Sequence, residues 1–171
     1  MQDFSDLRPT LQQLAQALTQ RGWMLATAES CTGGLIAAAC TDLPGSSTWF
    51  DRGFVTYSNA AKTEMLGVPA ELIAQYGAVS EEVVSAMAHG AIERSNAYAS
   101  IAISGIAGPD GGSAEKPVGT VWMAWGCGLH VKTQRVIFSG NRSQVRLQAV
   151  SHALDVLQTI IASGATPSIQ G

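Results

Sequence analysis

Residues 23–34 read Trp23-Met24-Leu25-Ala26-Thr27-Ala28-Glu29-Ser30-Cys31-Thr32-Gly33-Gly34, and this segment carries the strongest indication of the fold. The short apolar run 23–28 is typical of a buried strand. Two glycines then allow a tight turn, and the following residues 35–39 favour a helix. The sequence therefore predicts a strand–turn–helix unit with Ser30 at its corner.

The alternation of strands and helices continues along the chain. Further helices are predicted over 6–21, from Asn59, from Ser80 and from Asn141 to Gly164, and further strands over 53–57, 100–104, 118–125 and 130–138. Asn59, Ser80 and Asn141 are residue types that cap helix N-termini. The last two strands are close enough to pair as an antiparallel hairpin through residues 126–128. This pattern predicts an α/β fold, a three-layer α/β/α sandwich with a mixed sheet.

Length and composition indicate one domain and exclude several classes of partner. The 171 residues predict a single domain over 1–164, with 165–171 as a disordered tail. A net charge of −3 without a basic stripe disfavours nucleic acid. No apolar run approaches the ~20 residues of a membrane span. With only 13% charged residues, part of the surface is expected to be covered in a homo-oligomer.

Cysteine usage and the N-terminus favour a cytoplasmic location. The three cysteines form no C-x-x-C pair, and an odd number does not fit a disulfide framework. Residues 1–6 lack the basic and apolar regions of a signal peptide. No cluster with metal-ligand spacing is present, so neither a metal nor another cofactor is expected.

Three polar or glycine-rich segments follow predicted strands. They span 28–34, 56–62 and 104–112. Ligands of open α/β sheets bind at the carboxyl ends of strands, so these segments are the candidate site. The glycines of 104–112 let backbone approach a ligand closely, but the loop is neither a Walker A sequence nor G-x-G-x-x-G.

Ser30 is the candidate nucleophile. Backbone N–H groups of Thr32, Gly33 and Gly34 at the helix start can hold a developing oxyanion. Two other interpretations remain open: Ser30 and Thr32 only cap the helix, or the glycine turn binds a phosphate without catalysis. Cys31 is a rival nucleophile, because a helix N-terminus activates a thiolate.

A serine nucleophile needs a base, and Lys62 is the best candidate. His89, His130 and His152 fall within a helix, at a strand start and in mid-helix, where structural or exposed roles are expected. Lys62 lies early in a helix, whose positive end disfavours an ammonium ion, although a solvated surface lysine is the common alternative. Tyr57 is a candidate to relay a proton or to orient the lysine.

The ordered set of motifs resembles the CinA C-terminal domain family over about residues 7–162. The resemblance is carried by Ala28 to Gly34, Pro44 to Ser47, Gly53 to Asn59 with Lys62, Gly77 to Ser80, Ser104 to Gly112, Lys116 to Val121, and Asn141-Arg142 with Val145-Arg146. It implies a three-layer α/β/α fold and a Ser–Lys hydrolase without a cofactor. It also implies hydrolysis of the carboxamide of nicotinamide mononucleotide to nicotinate mononucleotide and ammonia, in pyridine nucleotide recycling.

Two departures accompany the resemblance. Family members often carry an extra N-terminal domain that is linked to ADP-ribose pyrophosphatase activity, and this activity is not expected of the present chain. Arg52 stands where a second glycine is expected, which predicts altered backbone freedom near Phe54.

The hypothesis for the mechanism combines these residues. Neutral Lys62 takes the Ser30 proton while Oγ attacks the amide carbon, and Lys62, with Tyr57, returns a proton so that ammonia leaves. The residues expected to position the nucleotide substrate are Ser47, Ser104, Gly105, Ala107 and Gly108, with Arg142 for its phosphate. A noncatalytic nucleotide-binding or regulatory module, and an amidase for another small amide, remain as alternatives.

Overall fold

The computed structural model describes residues 3–164, so the expected disordered tail at 165–171 lies outside the described residues. The helices are α1 (Arg8–Arg21), α2 (Leu35–Asp42), α3 (Asn59–Leu66), α4 (Ala70–Tyr76), α5 (Glu81–Glu93) and α6 (Arg142–Ala162). The strands are β1 (Leu25–Glu29), β2 (Phe50–Val55), β3 (Ala99–Gly105), β4 (Thr120–Cys127) and β5 (His130–Ile137). Short 3-10 turns occupy Ser5–Leu7 and Ser46–Thr48.

The five strands form one mixed sheet in the order β2-β1-β3-β4-β5. Strand β1 pairs in parallel with β2 and β3, whereas β4 is antiparallel to β3 and to β5. Glu29 at the end of β1 is opposite Val55 of β2 and Ile103 of β3. The carboxyl ends of these three strands therefore share one edge of the sheet, and the predicted mixed sheet is confirmed.

Helices cover both faces of the sheet, which confirms the three-layer α/β/α arrangement. Helices α1, α2 and α6 pack over one core, to which Leu14, Trp125 and Leu154 belong. Helices α3, α4 and α5 cover a second core, which includes Leu66 and Met87. All of β1 is buried, as expected of a central parallel strand with helices on both sides.

Of the caps predicted at Asn59, Ser80 and Asn141, two are confirmed and one is wrong. The Ser80 side chain caps α5, and Asn141 caps α6 in a capping box with Gln144. Helix α3, however, is capped by Ser58, whose Oγ accepts the Ala61 N–H at 3.0 Å, so Asn59 is the first helical residue. Neighbouring serine and asparagine are both good caps, so the sequence alone does not choose between them.

Smaller boundary differences also occur. Strand β4 continues through Cys127, so the hairpin turns at Gly128 and the next residue rather than over 126–128. Helix α6 ends at Ala162, two residues before the expected Gly164.

Arg52 fits the sheet without a glycine-like backbone, since no non-glycine residue described here has a positive φ. Its Nε donates to Asp51 at 2.7 Å and its Nη1 to the Arg94 carbonyl at 3.2 Å. The β1–β2 pairing shifts register here, where Leu25 pairs with Phe50 but the next pair includes Arg52. The arginine therefore joins β2 to the end of α5.

Within residues 3–164, no helix combines the length and apolar character needed to cross a membrane. The three cysteines are unpaired and buried.

Candidate active site

The three predicted site segments meet at the carboxyl edge of β1, β2 and β3. The Ser30 N–H donates to the Ile103 carbonyl of β3 at 3.0 Å. The Thr56 N–H, just after β2, donates to the Glu29 carbonyl at 2.8 Å. Backbone hydrogen bonds thus continue past the strand ends and fix the segments that follow.

A cavity of about 250 Å³ opens at this edge. Its lining comprises Ser30, Cys31, Tyr57, Asn59, Lys62, Ala78, Val79, Ser104, Gly105, Ala107 and Arg142. Seven of these are predicted site residues: Ser30, Tyr57, Lys62, Ser104, Gly105, Ala107 and Arg142. Asn59, Ala78 and Val79 were not singled out as site residues, although Asn59 falls in the candidate segment 56–62 and the other two fall in the family motif 77–80.

Lys62 and Ser30 are in direct contact inside this cavity. The Lys62 Nζ lies 3.1 Å from the Ser30 Oγ, 2.8 Å from the Thr56 carbonyl oxygen and 3.3 Å from the Tyr57 carbonyl oxygen. Lys62 is 1% exposed and Ser30 8%. Sequence spacing alone does not show whether Lys62 reaches Ser30, and the structure shows that it does.

The surroundings of Lys62 favour its neutral form. Burial lowers the pKa of its amine below the usual lysine value. Among the ion pairs of residues 3–164, none gives Lys62 a carboxylate partner. As an ammonium, Lys62 donates to all three oxygens; as a neutral amine, it donates to the carbonyls of Thr56 and Tyr57 and its lone pair can accept the Ser30 hydroxyl proton.

Glu29 organises the turn that carries Ser30, a role that the sequence analysis missed. Its fully buried carboxylate accepts hydrogen bonds from the Thr32 hydroxyl at 2.7 Å and from three amides of the helix start. These amides belong to Gly34 at 3.1 Å, Ile36 at 3.0 Å and Ala37 at 2.8 Å. An acidic residue at the end of a strand and just before a helix was the available signal, since carboxylates stabilise helix N-termini.

The expected oxyanion donors are only partly free. The Gly33 N–H donates to the Ser30 carbonyl at 3.0 Å, and the Gly34 N–H donates to Glu29. In the described chain, the amides of Cys31 and Thr32 have no hydrogen bond to another residue. Of the predicted donors, only Thr32 has an amide without such a partner, but Thr32 is fully buried and does not line the cavity, whereas Cys31 does. Because Glu29 occupies this helix start, a phosphate site there is not favoured.

Cys31 lines the cavity but is a poor rival nucleophile. Its side chain is 6% exposed, and burial raises the pKa of its thiol to about 12. A thiol with such a pKa stays protonated at neutral pH, whereas the thiolate is the reactive form.

Tyr57 and Arg142 lie together at the opening of the cavity. The Tyr57 side chain is 63% exposed, and its hydroxyl accepts from the Arg142 Nη2 at 3.3 Å. The Arg142 Nη1 donates to the Gly108 carbonyl at 2.8 Å, which brings Gly108 next to the site although it does not line the cavity. The observed contact of Tyr57 with Lys62 is through its backbone carbonyl, not through the phenol that was expected to relay or orient.

Ser47 and the histidines are not brought into the cavity. Ser47 is exposed in the 3-10 turn at 46–48 and is absent from the cavity lining. His152 bonds Gln134 at 2.9 Å, and neither it nor His89 or His130 lines the cavity.

Comparison with known proteins identifies the family. The CinA C-terminal domain model matches residues 8–161. A nicotinamide-nucleotide amidohydrolase PncC from Enterobacter agglomerans is 58% identical over 143 residues, which cover 83% of this chain and 87% of that protein. The corresponding Pseudomonas putida protein is 57% identical over 144 residues, covering 84% and 90%.

A solved structure agrees with this assignment. The competence/damage inducible protein CihA from Agrobacterium tumefaciens is 46% identical and superposes with a TM-score of 0.89, over 94% of this chain and 99% of that one. The fold, the site segments and the matched length lead to one conclusion: the chain belongs to the CinA C-terminal domain family.

Proposed function

We propose that the protein hydrolyses the carboxamide of nicotinamide mononucleotide to nicotinate mononucleotide and ammonia, and thereby recycles pyridine nucleotides. The observation that carries the proposal is the 3.1 Å contact between the Lys62 Nζ and the Ser30 Oγ within a cavity. The names of the two PncC relatives, nicotinamide-nucleotide amidohydrolase, support the choice of substrate.

Acylation begins when neutral Lys62 accepts the Ser30 hydroxyl proton while Oγ attacks the amide carbon. The carbonyl oxygen becomes an oxyanion, for which the N–H of Cys31 at the cavity wall is the proposed donor, with the buried N–H of Thr32 next to it. The Lys62 ammonium then protonates the amide nitrogen, the C–N bond breaks, and ammonia leaves. The product of this half-reaction is an ester of nicotinate mononucleotide on Ser30.

Deacylation uses the same base. Lys62, neutral again after giving its proton to ammonia, accepts a proton from water as the water oxygen attacks the ester carbon. The C–Oγ bond breaks, and Lys62 returns the proton to Ser30. The sum is amide plus water giving acid plus ammonia, with Ser30 and Lys62 restored.

The rest of the cavity is suited to a nucleotide monoester. Arg142, exposed at the opening, is the proposed partner of the phosphate, because guanidinium binds phosphate oxygens in a bidentate manner. Ser104, Gly105 and Ala107 line the cavity and are the proposed contacts to the body of the substrate. Ser47 has no part in this scheme, since it lies outside the cavity lining.

The test is an assay of the purified protein against nicotinamide mononucleotide and a panel of other small amides, with ammonia and the acid product both measured. Equal amounts of ammonia and nicotinate mononucleotide from the wild type, and none from Ser30→Ala, are expected. Cys31→Ala is the matched control for the neighbouring nucleophile and keeps its turnover within about threefold. Preference for a different amide, or turnover that survives in Ser30→Ala, would contradict the proposal.

Two wider expectations stay predictions. A homo-oligomer is expected from the low charge fraction, and gel filtration with light scattering tests it. A cytoplasmic location is expected from cysteine usage, and fractionation of cells that express the full chain tests it.

A further inference from the structure

The turn between α4 and α5 supplies apolar side chains to a cavity whose other side chains are largely polar. Ala78 and Val79 line the cavity from this turn, residues 77–80. Ala78 packs against the core under α5. Val79 is also half-buried, yet it belongs to neither core cluster of the described chain. Val79 therefore lines the cavity and does not pack in either core.

The backbone of this turn is held in place from both sides. Gly77 has φ +80°, a conformation that side-chain-bearing residues rarely adopt. The Ser80 Oγ donates to the Gly77 carbonyl at 2.7 Å and accepts the Val83 N–H at 3.4 Å. On the other side, the Lys116 Nζ donates to the Tyr76 carbonyl at 3.2 Å. The wall that Val79 forms is therefore built before any ligand binds.

The rest of the lining adds only small apolar surfaces at Cys31 and Ala107, and the ring of Tyr57 at the exposed opening. Ser30, Lys62 and Ser104 contribute polar side chains, and Arg142 lies at the opening. Small-molecule sites combine apolar walls that take the ring with a few polar groups that orient it. The apolar wall at 78–79 and the polar Ser30–Lys62 pair match the two parts of an aromatic carboxamide, its ring and its amide.

We infer that Val79, with Ala78 beside it, forms the surface on which the aromatic ring of the substrate packs, and that this contact selects aromatic carboxamides. The inference rests on the proposed function and adds a specificity-determining residue to it. Val79 touches the ring but not the reacting atoms. It therefore contributes binding that is equal in the ground state and the transition state, which appears in KM rather than in kcat.

The test compares Val79→Thr and Val79→Ala with the wild type. Val79→Thr keeps the shape and replaces one methyl group by a hydroxyl, whereas Val79→Ala removes the wall. For nicotinamide mononucleotide, KM is expected to rise about fivefold in Val79→Thr and about tenfold or more in Val79→Ala, with kcat within about threefold. Thermal unfolding of each variant checks that the fold is intact.

Val131→Thr is the matched control. Val131 is half-buried, packs against the same α5-side core and pairs with Gly126 at the sheet edge opposite the cavity. The same substitution there leaves KM and kcat unchanged.

Binding measured in the Ser30→Ala background separates ring contacts from the other contacts. Dissociation constants are measured for nicotinamide mononucleotide, for nicotinamide riboside, which lacks the phosphate, and for ribose 5-phosphate, which lacks the ring. Val79→Ala is expected to weaken the two ligands with a ring about tenfold and to leave ribose 5-phosphate unchanged.

Several results overturn the inference: an unchanged KM in both Val79 variants, a loss of kcat at constant KM, or equal weakening of ribose 5-phosphate. Failure of the proposed function looks different. If the wild type binds but does not hydrolyse nicotinamide mononucleotide, and Val79→Ala weakens that binding, the proposed function is wrong and the ring-binding role of Val79 is supported. If the wild type neither binds nor hydrolyses nicotinamide mononucleotide, both the proposed function and the ring-binding role of Val79 are wrong.

Discussion

The Lys62 Nζ lies 3.1 Å from the Ser30 Oγ, although 32 positions separate the two residues in the chain. Parallel pairing brings them together, because Glu29 at the end of β1 is opposite Val55 at the end of β2. Ser30 directly follows the first strand, and α3, which carries Lys62, begins four residues after the second. The chemistry proposed for the site depends on this contact.

Replacing Lys62 by arginine tests whether a removable proton is needed. Arginine keeps a positive charge but does not lose its proton in proteins, so it cannot act as a base. We expect kcat/KM for nicotinamide mononucleotide to fall at least about 10³-fold in Lys62→Arg, and equally in Lys62→Met. Steady-state kinetics measures both. Substantial activity in Lys62→Arg would mean that the residue serves as a cation.

The pH dependence of kcat/KM reports the proton on Lys62. Burial lowers the pKa of the amine, and only the neutral form accepts the Ser30 proton, so activity rises with pH through that lowered pKa. The ascending limb of the pH profile is expected to fit the loss of one proton, with an apparent pKa below the roughly 10.4 of a free lysine. A rate that falls as the pH rises through neutrality would have the wrong sign for a lysine base.

The fold was largely predictable because its signals are local. The apolar run of β1 and the caps Ser80 and Asn141 each follow from a few neighbouring residues. Helix α3 was misassigned by one position, since Ser58 and Asn59 are equally good caps in sequence. That error reflects competition between adjacent residues, whereas the short helix α4 was not predicted at all.

The site was less predictable because its contacts join distant segments. Residue types indicated Ser30 and Lys62, but no spacing rule gives a distance across 32 positions. Glu29 directly follows the apolar run 23–28 in sequence, and its four hydrogen bonds depend on where the start of α2 packs. Val79 carries no reactive group, and the sequence marks it only as part of the family motif 77–80; the cavity shows that it lines the site.

Glu29→Gln is expected to weaken both stability and turnover. A glutamine amide places an NH₂ group where one carboxylate oxygen accepted hydrogen bonds, so at least one buried N–H loses its acceptor. The expected cost is about 1–3 kcal/mol in the free energy of unfolding, measured by urea denaturation. Because the turn carries Ser30, kcat should fall about tenfold with KM little changed. An unaltered kcat in a destabilised variant would limit Glu29 to a structural role.

Arg142→Ala separates phosphate binding from chemistry. Loss of a charge-assisted contact is expected to raise KM for nicotinamide mononucleotide about 10–100-fold. For nicotinamide riboside, which has no phosphate, the same variant should match the wild type. Parallel kinetics with the two substrates measures the difference, and an equal effect on both would show that Arg142 acts through Tyr57 or Gly108 instead.

A double-mutant cycle of Ser30 and Lys62 tests the central claim most directly. The kcat/KM for nicotinamide mononucleotide is measured for the wild type, Ser30→Ala, Lys62→Ala and the double variant. When two residues act as one catalytic unit, removing either costs about as much activity as removing both. The three variants are therefore expected to show nearly the same loss of kcat/KM, at least about 10³-fold. If the double variant instead lost the product of the two single effects, or if Lys62→Ala stayed within tenfold of the wild type, Ser30 and Lys62 would not form a catalytic pair.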